Sequence, residues 1–403
     1  MAKLIIKGGK KLGGIWQSSG NKNEALPLVA ASLLFKGGLT LKNLPEIEDV
    51  KVMQKIAEVL DKKNEIPLEL AAKVRGSLLF VGPLLAIHGK AQIPESGGDK
   101  IGLRKIDTHL EVFKTLGGKI VGNLIILDKK IYNSPKPIRI WLSEPSVTAT
   151  ENALLMSALR LGKTVIKNAA CEPHVTNLGI ALMKGGVKIA GLGTNLITIN
   201  GVKKLKPVVH RVSEDFMEVG SALVLSAIFN GQVKVKSDNA DDYQKIFESF
   251  AKFNKKIVYK NGYLQALPHK PATQNTIEEI SDGPWPSFPS DLMSSMIILA
   301  TQCDGHFLFH EKMFESRLYF TDSLKRFGAQ LVLCDPHRVI ITGPSILHGG
   351  RMTSPDIRAG MALVIAALTA KGESTIDNVE QLDRGYENLV QKLKNVGADI
   401  KRE

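Results

Sequence analysis

The segment TENALLMSALRLGKTVIKNAACEPHVTNLGIALMKGGVKIAG (150–191) shows the pattern on which the fold prediction depends. Its first part (150–163) is a run of small and aliphatic residues with a glycine near its end. This pattern predicts a buried helix that terminates at the glycine. A strand-like stretch, TVIKNA, follows. Residues 174–191 then read as an amphipathic helix, a Gly-Gly turn and a second strand. Helix, strand, helix and strand in this order predict one compact α/β unit.

The same pattern recurs along the chain, which indicates an internal repeat. Apolar, glycine-closed runs occupy 23–38, 76–90, 150–163, 216–231, 292–305 and 357–372. The strand-like stretches LTLKNL, AQIPES, TVIKNA, QVKVKS, HFLFHE and STIDNV follow them in turn. A second, amphipathic helix and a further strand are expected in each unit. Because the first helix of each unit is apolar nearly all round, we predict buried helices covered by sheets rather than a doubly wound sheet.

The composition is that of a globular chain in a reducing compartment. The chain has 403 residues, of which 44% are hydrophobic and 23% charged. These values exclude a mostly disordered chain, a collagen and a disulfide scaffold, and a prior of about 150 residues per domain predicts two or three domains. The scattered Cys171, Cys303 and Cys334 form no metal-ligand spacing. With no signal-peptide pattern and no apolar run of membrane length, we expect a cytoplasmic protein with no metal and no membrane contact.

The formal net charge is high, at +13 from 53 Lys and Arg against 40 Asp and Glu. Such an excess is compatible with a nucleic acid, an anionic membrane or an anionic small substrate. Many of the lysines alternate with acids, and no long basic tract is present. Because a nucleic-acid binder usually concentrates its charge, we expect no nucleic-acid partner.

Two segments carry charged residues suited to anion binding. In SGNKN (19–23), Lys22 next to a helix N-terminus offers an ammonium and free N–H groups. The alternative is a solvated loop lysine beside an asparagine cap. In GGDKIGLR (97–104), three glycines predict a mobile loop on which Asp99 and Arg104 form a lid over an anionic substrate. The alternative there is a Gly-Asp surface turn.

Two further patterns lie in the second half of the chain. In PWPSFPSD (284–291), the prolines place Asp291 near the start of a predicted buried helix, where the bare pattern indicates an N-cap. Arg317 in FESR, Arg358 in SPDIRAG and Arg384 in LDRGYE follow or separate predicted elements. Arginine binds phosphate and carboxylate bidentately, although each of these residues alone is typical of a surface ion pair.

Taken together, these motifs resemble the UDP-N-acetylglucosamine 1-carboxyvinyltransferases, the enolpyruvyl transferases of peptidoglycan synthesis. The similarity runs nearly end to end and includes SGNKNEALP, GGDKIGLRKIDTH, TATENALL, IKNAACEPH, HRVSEDFMEVG, PWPSFPSDLM, FESR, SPDIRAG and LDRGYE. It implies an α/β fold, a two-domain inside-out α/β barrel of six βαβαββ-type units, three per domain. The implied domains are 21–212, with a lid at about 95–106, and 1–20 plus 213–403, with the active site in the cleft between them. It also implies a monomer that needs no cofactor.

The resemblance further implies a reaction and a set of site residues. The enolpyruvyl group of phosphoenolpyruvate is transferred to the 3′-hydroxyl of UDP-N-acetylglucosamine and phosphate is released, as the first committed step of peptidoglycan synthesis and hence of cell-wall biogenesis and division. The implied catalytic residues are the general acid Asp99, the general base Asp291, and Lys22, Arg104 and Arg384. The implied phosphoenolpyruvate ligands are Lys22, Asn23, Arg104 and Arg384. The implied UDP-N-acetylglucosamine ligands are Asn23, Arg75, Arg104, Lys105, Ile106, Asp107, Thr108, Ser146, Val147, Asp291, Met313 and Phe314. The implied supporting residues are Glu172, Asp215, Arg317 and Arg358.

Some residues depart from the usual pattern of that family. Asp99 stands where most members have cysteine, and the missing thiol implies resistance to fosfomycin, which alkylates it. Glu144 replaces a usual lysine, Phe216 an arginine, Trp285 a histidine and Lys105 a proline. These changes leave two alternatives open: a paralogue that binds a UDP-sugar with reduced or no catalysis, and an enolpyruvyl transferase with a different acceptor.

Overall fold

The computed structural model describes residues 2–35, 38–95, 97–98, 105–238, 240, 243–269 and 277–403. The chain divides into two compact units. Among the described residues, the N-terminal unit comprises 20–98 and 105–213, and the C-terminal unit comprises 2–19 and 214–403.

Helices and strands are interspersed along the described residues. The α-helices are α1 (Lys22–Ala31), α2 (Glu48–Leu60), α3 (Leu68–Ala71), α4 (Val81–His88), α5 (Asp107–Thr115), α6 (Lys129–Tyr132), α7 (Val147–Ser157), α8 (Pro173–Lys184), α9 (Phe216–Ile228), α10 (Gln244–Ala251), α11 (Ser290–Thr301), α12 (Thr321–Arg326), α13 (Ile357–Thr369) and α14 (Leu389–Asn395). Short 3₁₀ helices occupy Ser32–Leu34, Arg75–Phe80, Arg317–Phe320 and Val379–Arg384.

The strands are short, as expected for a repeat of small units. They are β1 (Lys3–Lys7), β2 (Gly14–Gln17), β3 (Leu39–Lys42), β4 (Lys90–Gln92), β5 (Gly118–Val121), β6 (Leu124–Leu127), β7 (Ile138–Trp141), β8 (Lys163–Lys167), β9 (Lys188–Ala190), β10 (Leu196–Asn200), β11 (Val208–Arg211), β12 (Val233–Lys236), β13 (Lys255–Lys260), β14 (Tyr263–Pro268), β15 (Glu278–Ser281), β16 (Gly305–His310), β17 (Gln330–Asp335), β18 (Arg338–Gly343), β19 (Arg351–Thr353), β20 (Glu373–Asp377) and β21 (Asp399–Arg402).

The first helix of each repeat is buried, as the apolar runs predict. In the C-terminal unit α9, α11 and α13 contact one another, and nearly all of their side chains are buried. Each of them packs on its own sheet: α9 on β12 and β14, α11 on β16 and β18, and α13 on β1 and β20. In the N-terminal unit α7 packs on β8 and β10, and α4 packs on β4 and β6. Helices inside and sheets outside are therefore the plan of each unit.

Four of the sheets share one topology. Their strand orders are β13-β14-β12-β2, β15-β16-β18-β17, β19-β20-β1-β21 and β7-β8-β10-β9. Each combines one parallel pair with two antiparallel pairs. The start of the chain belongs to this scheme, because β1 lies between β20 and β21 and β2 lies beside β12.

Two repeats differ from the predicted pattern. No strand follows α2: residues 61–74 contain α3 instead, and β3 pairs only with the parallel strand β11. The single helix predicted over 76–90 is split into the 3₁₀ helix Arg75–Phe80 and α4. At this point α4 lies against α7, since the N–H of Gly82 donates to Oδ1 of Asn152 at 3.0 Å and a Cβ at position 82 would lie only 2.7 Å from that oxygen. No described helix is both long enough and apolar enough to cross a membrane.

Candidate active site

Lys22 lies at the first position of α1, where an asparagine fixes the start of the helix. Oδ1 of Asn21 accepts the N–H groups of Asn23 and Glu24 at 2.9 and 3.2 Å. Lys22 is buried, and its Nζ lies 2.7 Å from Oδ2 of Asp49 on α2. The alternative of a solvated loop lysine is therefore wrong, although the asparagine cap is confirmed. A buried ammonium held by one carboxylate at a helix N-terminus has the charge and position to bind an anion.

Glu24 anchors this corner of the N-terminal unit, and the sequence interpretation did not identify it. Its buried carboxylate accepts Nδ2 of Asn177 at 2.8 Å and the N–H of Ser213 at 3.2 Å, as well as the Ser213 hydroxyl. Nε2 of His210 lies 2.9 Å from its other oxygen. A glutamate three residues after an asparagine cap is a capping-box signal, but here the carboxylate reaches distant partners and holds the start of α1 in place.

Arg75 and the start of α5 meet on one side of the N-terminal unit. Nη2 of Arg75 donates to the carbonyl of Lys105 at 3.1 Å. Ile106 occupies the N-cap position of α5, so the helix begins at Asp107, which is exposed, followed by Thr108, which is buried. The structure thus brings together five of the residues predicted to hold UDP-N-acetylglucosamine, beside a helix N-terminus that favours negative charge.

Ser146 and Val147 form the start of α7. The Ser146 hydroxyl caps the helix by accepting the N–H of Ala149 at 3.4 Å, and Val147 is its first residue. Glu144 is exposed immediately before them, and its carbonyl accepts the N–H of Ser146 at 2.7 Å. The predicted diphosphate-binding helix end therefore carries a carboxylate at its entrance.

His109 joins the starts of α5 and α7. Its Nδ1 accepts Nδ2 of Asn152 at 3.0 Å, which assigns the ring proton to Nε2 and makes Nε2 the donor to Oγ1 of Thr148 at 2.9 Å. Burial, and secondarily the charge of Arg75, lower the pKa of His109 to about 3. The imidazole is therefore neutral at pH 7 and acts as a fixed hydrogen-bonding link between the two predicted nucleotide-binding helix ends.

Asp291 lies in the first turn of α11 and is held by two arginines. The helix begins at Ser290 with Pro289 in the N-cap position, so the N-cap interpretation of Asp291 is wrong. Nη2 of Arg317 donates to Oδ1 of Asp291 at 3.0 Å, and Nε of Arg358 donates to Oδ2 at 2.9 Å. Both arginines are buried, whereas 29% of the Asp291 side chain is exposed. The alternative of surface ion pairs is therefore wrong for these two arginines.

Arg358 is held from several sides. Although burial opposes its charge, the neighbouring Asp291, together with Tyr386 and Asp215, raises the pKa of Arg358. Its Nη1 donates to the Tyr386 hydroxyl at 3.3 Å. The side chain of Asp356 caps α13 by accepting the backbone N–H of Arg358 at 2.8 Å. The guanidinium is therefore a permanent cation beside Asp291.

Asp215 and Glu218 organise the start of α9. Oδ1 of Asp215 accepts the N–H groups of Met217 and Glu218 at 2.9 and 3.2 Å, so this residue is the N-cap. The buried Glu218 accepts Nε1 of Trp16 at 2.9 Å and Nζ of Lys392 at 2.5 Å. Asp215 thus supports the helix that packs beside α11.

The remaining predicted ligands lie around these groups. Met313 is exposed, and the half-buried ring of Phe314 lies 5.1 Å below the guanidinium of Arg317. Arg384 ends the 3₁₀ helix Val379–Arg384, where its Nη1 donates to Oε1 of Gln381 at 2.9 Å.

Glu172 is partly buried and lies near a second acidic residue, the fully buried Glu151. Glu172 occupies the N-cap position of α8 in the N-terminal unit. Burial, and secondarily the charge of Glu172, raise the pKa of Glu151, which lies in the first turns of α7. The protonated form of Glu151 is therefore favoured.

Asp99 and Arg104 lie outside the described residues. Among the residues that are described, no group of three or more His, Cys, Asp and Glu side chains could hold a metal ion.

Comparison with known proteins places the chain in a family. Residues 6–393 match the family described as EPSP synthase (3-phosphoshikimate 1-carboxyvinyltransferase). The chain is 45% identical to the UDP-N-acetylglucosamine 1-carboxyvinyltransferase of Treponema denticola, with 99% of each chain covered. It is 40% identical to the same enzyme of Bradyrhizobium diazoefficiens, with 99% of this chain and 98% of that one covered. The chain belongs to the UDP-N-acetylglucosamine 1-carboxyvinyltransferase family. It is therefore a transferase.

Solved structures confirm the fold. The enolpyruvyl transferase NikO from Streptomyces tendae superposes with a TM-score of 0.86 at 21% identity, covering 100% of this chain and 99% of that one. EPSP synthase from Acinetobacter baumannii superposes with a TM-score of 0.74 at 16% identity, covering all of both chains. The predicted enolpyruvyl transferase fold is thus confirmed.

Two of the departures from the usual pattern of the UDP-N-acetylglucosamine 1-carboxyvinyltransferases contact each other. The rings of Phe216 and Trp285 meet edge to face with centroids 5.9 Å apart, and Phe216 also stacks on Tyr243 at 6.4 Å. The two positions thus form an aromatic pair. Because Trp285 belongs to the loop that leads to Asp291, this pair helps to fix that loop.

We expect Phe216 and Trp285 to be energetically coupled. In a double-mutant cycle with Phe216→Ala and Trp285→Ala, denaturant unfolding should give a coupling free energy of about 1 kcal/mol, as edge-to-face pairs do. The control cycle combines Phe216→Ala with Trp141→Ala, because Trp141 is exposed in the N-terminal unit and should show additivity. A coupling no larger than that of the control would contradict the packing role.

Proposed function

We propose that this chain transfers the enolpyruvyl group of phosphoenolpyruvate to the 3′-hydroxyl of UDP-N-acetylglucosamine with release of phosphate, the first committed step of peptidoglycan synthesis. The observation that carries the proposal is Asp291, fixed between the buried Arg317 and Arg358 at the start of α11. Such a carboxylate is a placed proton acceptor, and the relatives that share the chain's full length are named for this transfer.

Asp291 would act as the general base. Arg317 and Arg358 each donate to a different oxygen of this carboxylate. Because a carboxylate oxygen can accept more than one hydrogen bond, a substrate hydroxyl could donate to it as well. The exposed part of the side chain gives a hydroxyl access to it. As the 3′-oxygen attacks C2 of phosphoenolpyruvate, its proton would pass to Asp291, and the two arginines would hold the carboxylate in place for that transfer.

Cations and helix ends would hold the anionic substrates. Lys22 and Arg384, with Arg104, would bind the phosphate and carboxylate of phosphoenolpyruvate, and Asn23 would contact the amino sugar. The starts of α5 and α7, with Arg75, would bind the uridine diphosphate. Charged and oriented donors of this kind stabilise bound phosphates and the charge that develops on a departing phosphate.

Asp99 would act as the general acid. Its proton would pass to the methylene carbon C3 of phosphoenolpyruvate while the 3′-oxygen adds to C2, giving a tetrahedral ketal. Removal of a proton from the new methyl group and cleavage of the C2–O bond to phosphate would then give the enol ether and free phosphate. A dehydrated, anion-filled site favours the protonated form of a carboxylic acid, as this role requires.

Phosphate release from phosphoenolpyruvate tests the proposal. We expect release by the wild-type protein with UDP-N-acetylglucosamine and none without it. Release only with another acceptor would contradict the acceptor assignment and point to the exposed Glu144 at the start of α7. Binding of the UDP-sugar without phosphate release would contradict the catalytic assignment and favour a paralogue that binds but does not turn over.

A further inference from the structure

The carboxyl group of Glu311 is fully buried close to Asp291. It contacts three segments that hold Asp291 in position. Its two oxygens accept the hydroxyl of Ser290, the residue before Asp291, at 2.8 and 2.9 Å. Oε1 also accepts the backbone N–H groups of Met313 and Phe314 at 3.3 and 3.2 Å. Oε2 lies 3.7 Å from Nε of Arg317. One side chain therefore connects the start of α11, the turn at 312–314 and an arginine that holds Asp291.

A second buried carboxyl group, that of Asp282, neighbours Glu311 and contributes to the raised pKa of Glu311. Oδ1 of Asp282 accepts the N–H of Lys312 at 2.5 Å. Its Oδ2 is buried, and no N–H or hydroxyl donor of the described residues reaches it. Burial and this neighbouring carboxyl group both favour the protonated form of Glu311.

We propose that Glu311 is a positioning residue for the Asp291 base, which it serves by fixing Ser290, Arg317 and the turn at 312–314. This inference rests on the proposed function, because it assigns Glu311 a role in the same proton transfer. Glu311 is not expected to touch either substrate, since it is fully buried.

The charges around Glu311 explain why its protonation matters. Arg317 lies between Glu311 and Asp291, with its Nε 3.7 Å from the first carboxyl group and its Nη2 3.0 Å from the second. The charged or titratable groups that face Glu311 are Asp282, Arg317 and, at its backbone carbonyl, Nδ1 of His337 at 2.7 Å. Burial and the hydrogen bond with Asp282, opposed by Arg317, raise the pKa of Glu311 to about 9. Glu311 therefore holds the proton at pH 7, and Arg317 remains free to bind Asp291.

Three variants test the proposal by kcat and KM for phosphoenolpyruvate at pH 7. Glu311→Ala removes every contact and should lower kcat about 10²-fold with KM nearly unchanged, because the base and its arginine lose their alignment. Glu311→Gln imitates the protonated acid, since its amide can donate to Asp282, and should keep kcat within about threefold of the wild type. The control Glu218→Gln removes an equally buried carboxylate with no contact to Asp291, and should also keep kcat within about threefold.

Several outcomes would overturn the proposal: a Glu311→Ala enzyme within threefold of wild-type kcat, a Glu311→Gln enzyme as inactive as Glu311→Ala, or an equal loss of kcat in the control. If Glu311→Ala does not fold, Ser290→Ala replaces it. That variant removes only the hydroxyl between Glu311 and α11, and we expect its kcat to fall about tenfold. An unchanged kcat for Ser290→Ala would then contradict the positioning role.

A second readout needs no turnover. Because the pKa of Glu311 in the folded state is raised from 4.5 to about 9, the stability that it contributes is complete below about pH 4.5 and is lost as the pH rises towards 9. Glu311→Gln does not titrate. The thermal midpoint of Glu311→Gln minus that of the wild type should therefore increase by about 3 °C or more from pH 6 to pH 9. A constant difference would contradict the buried proton. If the wild type released no phosphate, the proposed function would fail, while this comparison would still be informative.

Discussion

Asp291→Ala is expected to lower kcat for acceptor-dependent phosphate release by about 10²- to 10⁴-fold, the usual contribution of a placed general base. Without the carboxylate, no side chain stands where Arg317 and Arg358 now converge, and the attacking hydroxyl keeps its proton. Asp291 lies in the first turn of α11 and is partly exposed, so α11 should still form. The measurement is steady-state kinetics, with far-UV circular dichroism to confirm the fold.

Two controls separate loss of the base from loss of charge. Asp291→Asn keeps the size of the side chain but has little basicity, and should be nearly as inactive as the alanine variant. Asp335→Ala removes a partly exposed aspartate of the same unit that also pairs with an arginine, Arg338, and should leave kcat unchanged. Turnover of Asp291→Ala near that of the wild type would show that another group is the base.

Asp99→Cys is expected to convert a fosfomycin-resistant enzyme into one that the drug inactivates over time. The drug is an epoxide, which a thiolate opens readily and a carboxylate opens poorly, because the thiolate is the far stronger nucleophile. Enzyme incubated with fosfomycin for increasing times, then diluted and assayed, should keep full activity as the wild type and lose it progressively as the cysteine variant.

The wild type provides its own control for this experiment. Cys171, Cys303 and Cys334 are free thiols in both proteins, and Cys334 is exposed. Only the thiol at position 99 therefore distinguishes the variant. Time-dependent inactivation of the wild type would contradict the assignment of residue 99, because one of the other thiols would then have to be the target.

The buried helices could be predicted because their sequences alone specify them. The run at 216–231 is apolar nearly all round, with Glu218 as its one charged residue, so α9 has no continuous polar side that could face water. The first repeat could not be predicted in this way. In this repeat α3 replaces the strand expected after α2, and β3 pairs with β11. The paired residues are about 170 positions apart, so no local sequence pattern indicates the contact.

The candidate site shows the same limit. A lysine after an asparagine cap could be recognised in the motif around Lys22, but its partner Asp49 lies on another helix. Asp291 looks like a helix cap in the sequence, and only long-range packing brings Arg317 and Arg358 to its two oxygens. Glu311 carries no motif. Its importance follows from the partners that surround it after folding.

The most direct test of the central claim is to identify the product formed from phosphoenolpyruvate and UDP-N-acetylglucosamine by the wild-type enzyme, using mass spectrometry and NMR. The account predicts one enolpyruvyl group on the 3′-oxygen of the amino sugar for each phosphate released. Recovery of unchanged UDP-N-acetylglucosamine from the folded enzyme, or an enolpyruvyl group at any other oxygen, would contradict it.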